Sequence, residues 1–251
     1  MTILVTGGTG RLGRSTVDAL RAHGHEVRVL SRKIGDGHVV GDLTTGEGLA
    51  AAVAGVDAVV HLATTRRRDI DQTRTLLEAM AETDAHLVFI SIVGVDEVQA
   101  YAYYRDKVAS EQAIESSGVA HTIVRVTQFH GFVSEFLDAQ RRLPVTFVVP
   151  ATVQTVHVPE VAERLVELVE AGPSGRVADF AGPEMLTLRE HAAQWQEAHG
   201  IRRPIWSLRL PGRFARAVRE GKLASGLPGG GRVTFREYLA EQGRAHATNG
   251  S

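Results

Sequence analysis

Short runs of β-branched and apolar residues alternate with longer amphipathic stretches over the first 126 residues. The runs Thr2–Val5, Glu26–Leu30, His38–Val40, Ala58–His61, Leu87–Ser91 and Thr122–Val126 predict strands. Between most of them lie Leu12–His23, Glu47–Ala54, Asp71–Glu82 and Tyr103–Ser116, which predict helices. Only a short loop separates the second strand from the third. Parallel neighbours need long crossovers, so this alternation predicts a parallel sheet covered on both faces. Beyond Val126 the rhythm loosens. Val145–Val149 is expected to be a seventh strand, Pro159–Ala171 a helix ended by Gly172, and Leu188–Ala198 another helix. A basic stretch from Arg209 to Lys222 and a turn at Gly229-Gly230-Gly231 follow. The expected fold is α/β, a doubly wound Rossmann sheet in the order 3-2-1-4-5-6-7. Residues 1–150 would form the nucleotide-binding core. Residues 151–251 would add a small C-terminal substrate lobe over the strand ends, partly intertwined with the core in one unit.

The first strand runs directly into Gly7-Gly8-Thr9-Gly10-Arg11-Leu12-Gly13, which opens the first predicted helix. A glycine motif gains meaning from this strand–turn–helix context. Gly7 would permit the tight turn, Gly10 the approach of backbone to a pyrophosphate, and Gly13 close packing of helix on sheet. The helix N-terminus would offer N–H groups and partial positive charge to the phosphates. The loop residues Thr9, Arg11 and Leu12 belong to the same expected cradle.

An NAD-specific site usually carries an acid about 20 residues beyond the glycine loop, at the end of the second strand. Here that place holds Ser31-Arg32-Lys33. Cations suit a 2′-phosphate, so the expected cofactor is NADP(H), with Ser31 and Arg32 as contacts and Arg11 as a second cation. Asp36 competes from the loop beyond Gly35.

Composition narrows the class. With 43% hydrophobic and 23% charged residues the chain can bury a core, and its formal net charge of −1 gives no reason to expect nucleic acid. The absence of cysteine excludes disulfides, thiolate metal sites and a cysteine nucleophile. No histidine pair has metal-ligand spacing, so no metal is expected. No run approaches the roughly 20 apolar residues of a membrane span, and no leader pattern opens the chain. A cytoplasmic monomer or homodimer acting on a small molecule is the expectation, without a membrane partner.

Thr6–Gly13, Gly41-Asp42-Leu43, His61-Leu62-Ala63 and Tyr103-Tyr104-Arg105-Asp106-Lys107 together resemble the atypical short-chain dehydrogenase/reductases. Within these the chain looks most like the NmrA-like NAD(P)H-binding group, and Arg125–His130 is similar to that group's sixth strand and following turn. The likeness covers residues 1 to about 165 well and the rest loosely. It implies that Asp42 and Leu43 flank the adenine and that His61, Leu62 and Ala63 line the cofactor. It also implies that Ser91, Tyr103 and Lys107 form a Ser, Tyr-x-x-x-Lys arrangement. On the residues alone, Tyr103 and Lys107 share a helix face at i, i+4. An ammonium beside a phenol favours release of the phenolic proton. Tyr101 and Tyr104 compete for the phenol role, and Ser91 competes as a plain strand-end residue.

Gln128, Phe129 and His130 fall where the sixth strand would reach the site and are expected to touch substrate, with a packed His130 as the competing reading. Arg66-Arg67-Arg68, followed by Asp69 and Asp71, reads as a solvated helix start. The segment Gln154–Ala162 resembles the family's turn into a helix, and Gly182-Pro183-Glu184 precedes the next one. Two functions stay open: an NADPH-dependent reductase of a small carbonyl or quinone-like compound, and a non-catalytic NADP(H)-sensing regulator. The C-terminal part is short for a nucleotide-sugar epimerase.

Overall fold

A computed structural model describes residues 1–35, 37–65, 67–98, 101–209, 212, 216, 219–222, 224–226 and 229–249. Asp36, Arg66 and most of the basic stretch after Arg209 lie outside the described residues.

The β-branched and apolar runs form β1 (Thr2–Thr6), β2 (Glu26–Ser31), β3 (His38–Val40), β4 (Ala58–His61), β5 (His86–Ile92) and β6 (His121–Val126). They pair in the order β3-β2-β1-β4-β5-β6, and β1 runs parallel to both β2 and β4. The alternating faces bury different partners. Leu4, Val59, Leu87 and Phe89 pack in one cluster with Leu49 and Val53 of α2 (Leu49–Val53) and Leu76, Leu77 and Met80 of α3 (Asp69–Met80). Ile114 of α4 (Ala102–Ser116) completes that cluster. The helices α1 (Arg11–Ala22) and α6 (Val158–Ala171) pack on each other. Burial of Leu12, Val17 and Leu20 on α1, and of Val161, Leu165 and Val169 on α6, marks their apolar stripes.

The seventh place in the sheet departs from expectation. It is filled by β10 (Gly175–Arg176), parallel to β6, and not by Val145–Val149. Two residues are too short to show an apolar run, yet Ser174 N and Val177 N donate to the His121 and Ile123 carbonyls on either side. The apolar run predicted for that place instead forms β8 (Thr146–Val148), parallel to β12 (Ile205–Ser207).

By compactness the chain divides into Met1–Arg125 with Val158–Ala178, and Val126–His157 with Asp179–Ser251. The first unit is the Rossmann sheet just described. The second holds β7 (Gln128–Phe129), α5 (His130–Asp138), β8, β9 (Thr152–Val156), β11 (Met185–Thr187), α7 (Leu188–Ala198), β12 and α8 (Phe235–Asn249). Here Gln154–Val156 is strand, where a turn was expected. β9 sits between antiparallel β11 and parallel β7. A core of Val133, Leu137, Val148, Val153, Trp195 and Phe235 joins these elements. Thr187 and Glu190 close a capping box at the start of α7, satisfying donors that the helix end leaves over. Among the described residues no helix is long and apolar enough to cross a membrane.

Candidate active site

The turn after β1 depends on its glycines. Gly7 has φ of 70°, and a Cβ there would lie 2.7 Å from Ala63 N and from the Leu62 carbonyl carbon, at the end of β4. A Cβ on Gly13 would collide with the Gly7 carbonyl oxygen, so the first turn of α1 can press on the loop only as glycine. Gly10 N donates to Gly7 O at 3.0 Å, which closes the turn. Gly10 is the N-cap of α1 and offers no side chain to its first-turn N–H groups. A Cβ on Gly10 would meet only Gly7 O, at 3.3 Å. That is a cradle with free approach for an anion at a helix N-terminus, and it fits a dinucleotide pyrophosphate. Gly8, which has no part in the glycine-motif reading, packs so closely that a Cβ would stand 2.8 Å from Val29 Cγ1.

At the end of β2, Ser31 Oγ accepts from Lys33 N at 3.1 Å, and Arg32 and Lys33 are exposed. Asp42 turns its Oδ1 to Thr44 N at 2.7 Å, and Leu43 is buried in the apolar cluster beneath. Thr9 and Arg11 are exposed, Leu12 is buried, and Leu62 and Ala63 are half-buried.

Beside the cradle lies a buried polar chain. Thr6 and His61 Nδ1 are 2.7 Å apart, and His61 Nε2 and Thr73 Oγ1 are 3.3 Å apart. Thr73 Oγ1 directs its proton to the Asp69 carbonyl at 2.8 Å. His61 Nε2 must then carry the hydrogen, and Nδ1 accepts from Thr6. Burial, and then the nearby Lys107 charge, push the His61 pKa down to about 3. The imidazole is therefore neutral across the physiological range.

The His61 ring stacks on Phe89 at 5.6 Å, and the Lys107 ammonium stands 4.6 Å from the Phe89 centroid. Lys107 Nζ also donates to the Ile90 carbonyl at 3.4 Å and lies 3.8 Å from Asp69 Oδ2. Desolvation pulls the Lys107 pKa below its ordinary value, opposed by the charges of Asp69 and Glu111. The half-buried Tyr103 ring is 6.0 Å from that ammonium, as the i, i+4 spacing predicts. Tyr104 is buried and Tyr101 exposed, and both rings touch Tyr103 edge-on or tilted. Ser91 is buried on β5, and its Oγ has no hydrogen-bond partner among the described residues.

The structure thus brings Lys107 and Tyr103 together, and places Ser91 next along β5 from the carbonyl that Lys107 touches. It also reveals Asp69, which the sequence assigned to a solvated helix start although it is 2% exposed. Its neighbours Arg67 and Arg68 are exposed as expected.

The residues expected to touch substrate belong to the second unit. Gln128 and Phe129 are half-buried on β7. His130 is buried: Nε2 donates to the Val233 carbonyl at 2.9 Å and Nδ1 accepts from Thr155 Oγ1 at 2.8 Å. Both ring nitrogens are spent inside the second core, and the ring packs on Phe235 and Tyr238. Of the two readings weighed for His130, the packed one describes its surroundings. No group of three or more His, Asp or Glu among the described residues is set to hold a metal ion.

A parallel Rossmann sheet whose first strand enters a glycine turn at a helix N-terminus defines a dinucleotide-binding protein. The chain belongs to the NAD(P)H-binding family, whose model matches residues 7–170. It is 34% identical over 215 residues, 81% of this chain and 75% of the relative, to (4-alkanoyl-5-oxo-2,5-dihydrofuran-3-yl)methyl phosphate reductase of Streptomyces griseus. Its fold is similar to that of triphenylmethane reductase from Citrobacter sp. complexed with NADP(H), with a TM-score of 0.82 and 19% identity over 96% of this chain and 99% of that one. A quinone oxidoreductase of Escherichia coli complexed with NADPH matches with a TM-score of 0.80 and 18% identity, again over 96% and 99%. The family is one that binds NAD(P)H, and the Streptomyces griseus relative is a reductase.

Proposed function

We propose that the protein is an NADPH-dependent reductase of a small carbonyl or quinone-like compound. The observation that carries this reading is the Ser91 hydroxyl, buried and without a partner among the described residues, one residue beyond the Ile90 carbonyl that receives Lys107. A buried donor without a partner costs about 1–3 kcal/mol. A substrate oxygen accepting from that hydroxyl would recover the cost.

Gly7, Gly10 and Gly13 would hold the pyrophosphate at the start of α1, and Ser31 and Arg32 would receive the 2′-phosphate. A bound nicotinamide cofactor would supply hydride. The protein's own part is orientation and proton supply. Ser91 would hold the substrate oxygen by its free hydroxyl. Tyr103 would give that oxygen a proton, helped by the Lys107 ammonium, which favours phenolate after the transfer. The reductase activity named for the Streptomyces griseus relative supports the same class of chemistry.

The test is NADPH oxidation measured against a panel of quinones, ketones and aldehydes. Turnover with at least one acceptor is expected, with tighter binding of NADPH than of NADH. Arg32→Ala should narrow that preference by about 1–3 kcal/mol, the worth of a charged hydrogen bond. Binding of NADPH without turnover of any acceptor would favour the sensor, and equal dissociation constants in the wild type would remove the NADPH preference.

A further inference from the structure

We propose that Asp69 is a positioning residue: its buried carboxylate fixes the Lys107 ammonium beside β5 and ties it to the Thr64–Thr65 segment that leaves β4. The proposal rests on the reading of Lys107 as a site residue given above.

Two carboxylates approach that ammonium. Glu111, one helical turn along α4, is held from both sides by Arg125, with Nε to Oε1 at 2.9 Å and Nη2 to Oε2 at 2.6 Å. Arg125 also grips Asp96 at 2.9 Å, so Glu111 serves a separate ion network. Asp69 is the carboxylate directed at Lys107, with both side chains at most 5% exposed. Its Oδ2 accepts from Thr64 Oγ1 at 2.6 Å, and its Oδ1 accepts from Thr65 N at 2.8 Å. The carboxylate is therefore clamped by the chain that continues from His61, Leu62 and Ala63. Its place in the first turn of α3 adds the favourable end of that helix's dipole.

The other groups around Lys107 are the Phe89 ring, the Ile90 carbonyl, the Tyr103 ring and, across Phe89, the neutral His61. None of these carries negative charge. A buried ion pair gains little stability over an apolar pair of equal size. Lys107 also donates to the carbonyl of Ile90, the residue before Ser91 on β5, and the pair ties the lysine to the chain leaving the strand end that Gly7 approaches. Displacing Asp69 would move the ammonium and the β4 exit together.

The test reads Lys107 itself, in protein without cofactor. The chain has only three lysines, Lys33, Lys107 and Lys222, so side-chain NMR of labelled lysine needs a single Lys107→Arg variant for assignment. In Asp69→Asn, Lys107 should lose its proton at lower pH than in the wild type, and Asp69→Glu should restore most of the difference. Turnover in Asp69→Asn should fall by up to about 100-fold, the cost of misplacing a site group by about an ångström. The loss should fall on kcat more than on KM, with the pH profile moving alongside the lysine. If Asp69→Asn does not fold, Thr64→Val at an exposed position removes one clamp and should shift Lys107 in the same direction by less. An unmoved Lys107 resonance in the folded variants overturns the proposal. A shifted resonance in a protein that reduces no acceptor supports the tie and removes the reductase reading instead.

Discussion

Each unit of the chain buries a histidine with both ring nitrogens engaged, and the two networks end differently. His61, in the sheet unit, connects through Thr73 to Asp69, whose carboxylate faces the buried Lys107; that lysine donates to the Ile90 carbonyl, next along β5 to a serine whose hydroxyl has no partner among the described residues. His130, in the second unit, ends on the Val233 carbonyl and on Thr155, whose hydroxyl also lies 3.3 Å from His191. His191 in turn gives its other nitrogen to the Thr187 carbonyl at 3.0 Å. The second network is neutral and nearly closed, as expected of polar groups that hold a core together. The first keeps charge and an unmet donor under cover, an arrangement that costs stability unless a ligand completes it. The difference separates polar burial that serves the fold from polar burial that serves chemistry.

The largest effect that could break this division is at the phosphate loop. Gly10→Val should abolish NADPH binding, read by fluorescence titration, while leaving the thermal unfolding of the protein close to wild type. Retained affinity would place the cofactor elsewhere and detach the His61 network from any site. Next comes Tyr103→Phe, which removes one hydroxyl at the edge of the charged network. It should slow turnover by about 10²–10⁴-fold, the usual loss with a general acid, at little cost in NADPH affinity. Full turnover in that variant would give the proton-donor role to Lys107 or to another group.

Acid should weaken both units alike, which sharpens what they share. Burial lowers His61 to about 3 and His130 to about 4, against 6.5 for a solvated imidazole. Folded values below the unfolded one mean that stability is complete above about pH 6.5 and is lost as pH falls toward the folded values. Each histidine should cost about 2 kcal/mol between pH 7 and pH 5, measured by urea unfolding. His130→Gln should remove that residue's own share of the slope, to which His86 and His191, also lowered by burial, add; an unchanged slope would contradict the buried neutral imidazole.

The smallest effect is the most discriminating, because its sign should differ between units. Thr155→Val strands the His130 Nδ1 acceptor and should cost about 1–3 kcal/mol. Ser91→Ala removes a donor that has no partner and should leave stability unchanged or raise it by about 1 kcal/mol, while slowing turnover. A destabilised Ser91→Ala would show that the hydroxyl serves the fold after all.

Much of the sheet unit could be read from the sequence because its signal is local. Six of the strands and the glycine turn follow from residues adjacent in the chain, and Tyr103 meets Lys107 through a four-residue spacing. The misses are long-range. Gly175–Arg176 is a strand only because β6 offers it an open edge. Val145–Val149 met the requirements of a sheet strand but found Ile205–Ser207 first. Asp69 follows three arginines and reads as solvated; its burial comes from Lys107, 38 positions away, which no local pattern announces. The cap on α7 is local too: Thr187-Leu188-Arg189-Glu190 is a capping-box sequence.

The placement of β10 also has a consequence for synthesis. The chain leaves the sheet unit after Arg125 and comes back only with Val158, so the edge of β6 and the partner of α1 are made late. At about 5–20 residues per second, the ribosome needs roughly 3–10 s to pass from β6 to β10. For that interval the nascent chain displays an open parallel strand and the uncovered apolar stripe of α1. A stop placed at residue 150 would make that exposure permanent, and the truncated product should depend on chaperones for as long as it survives.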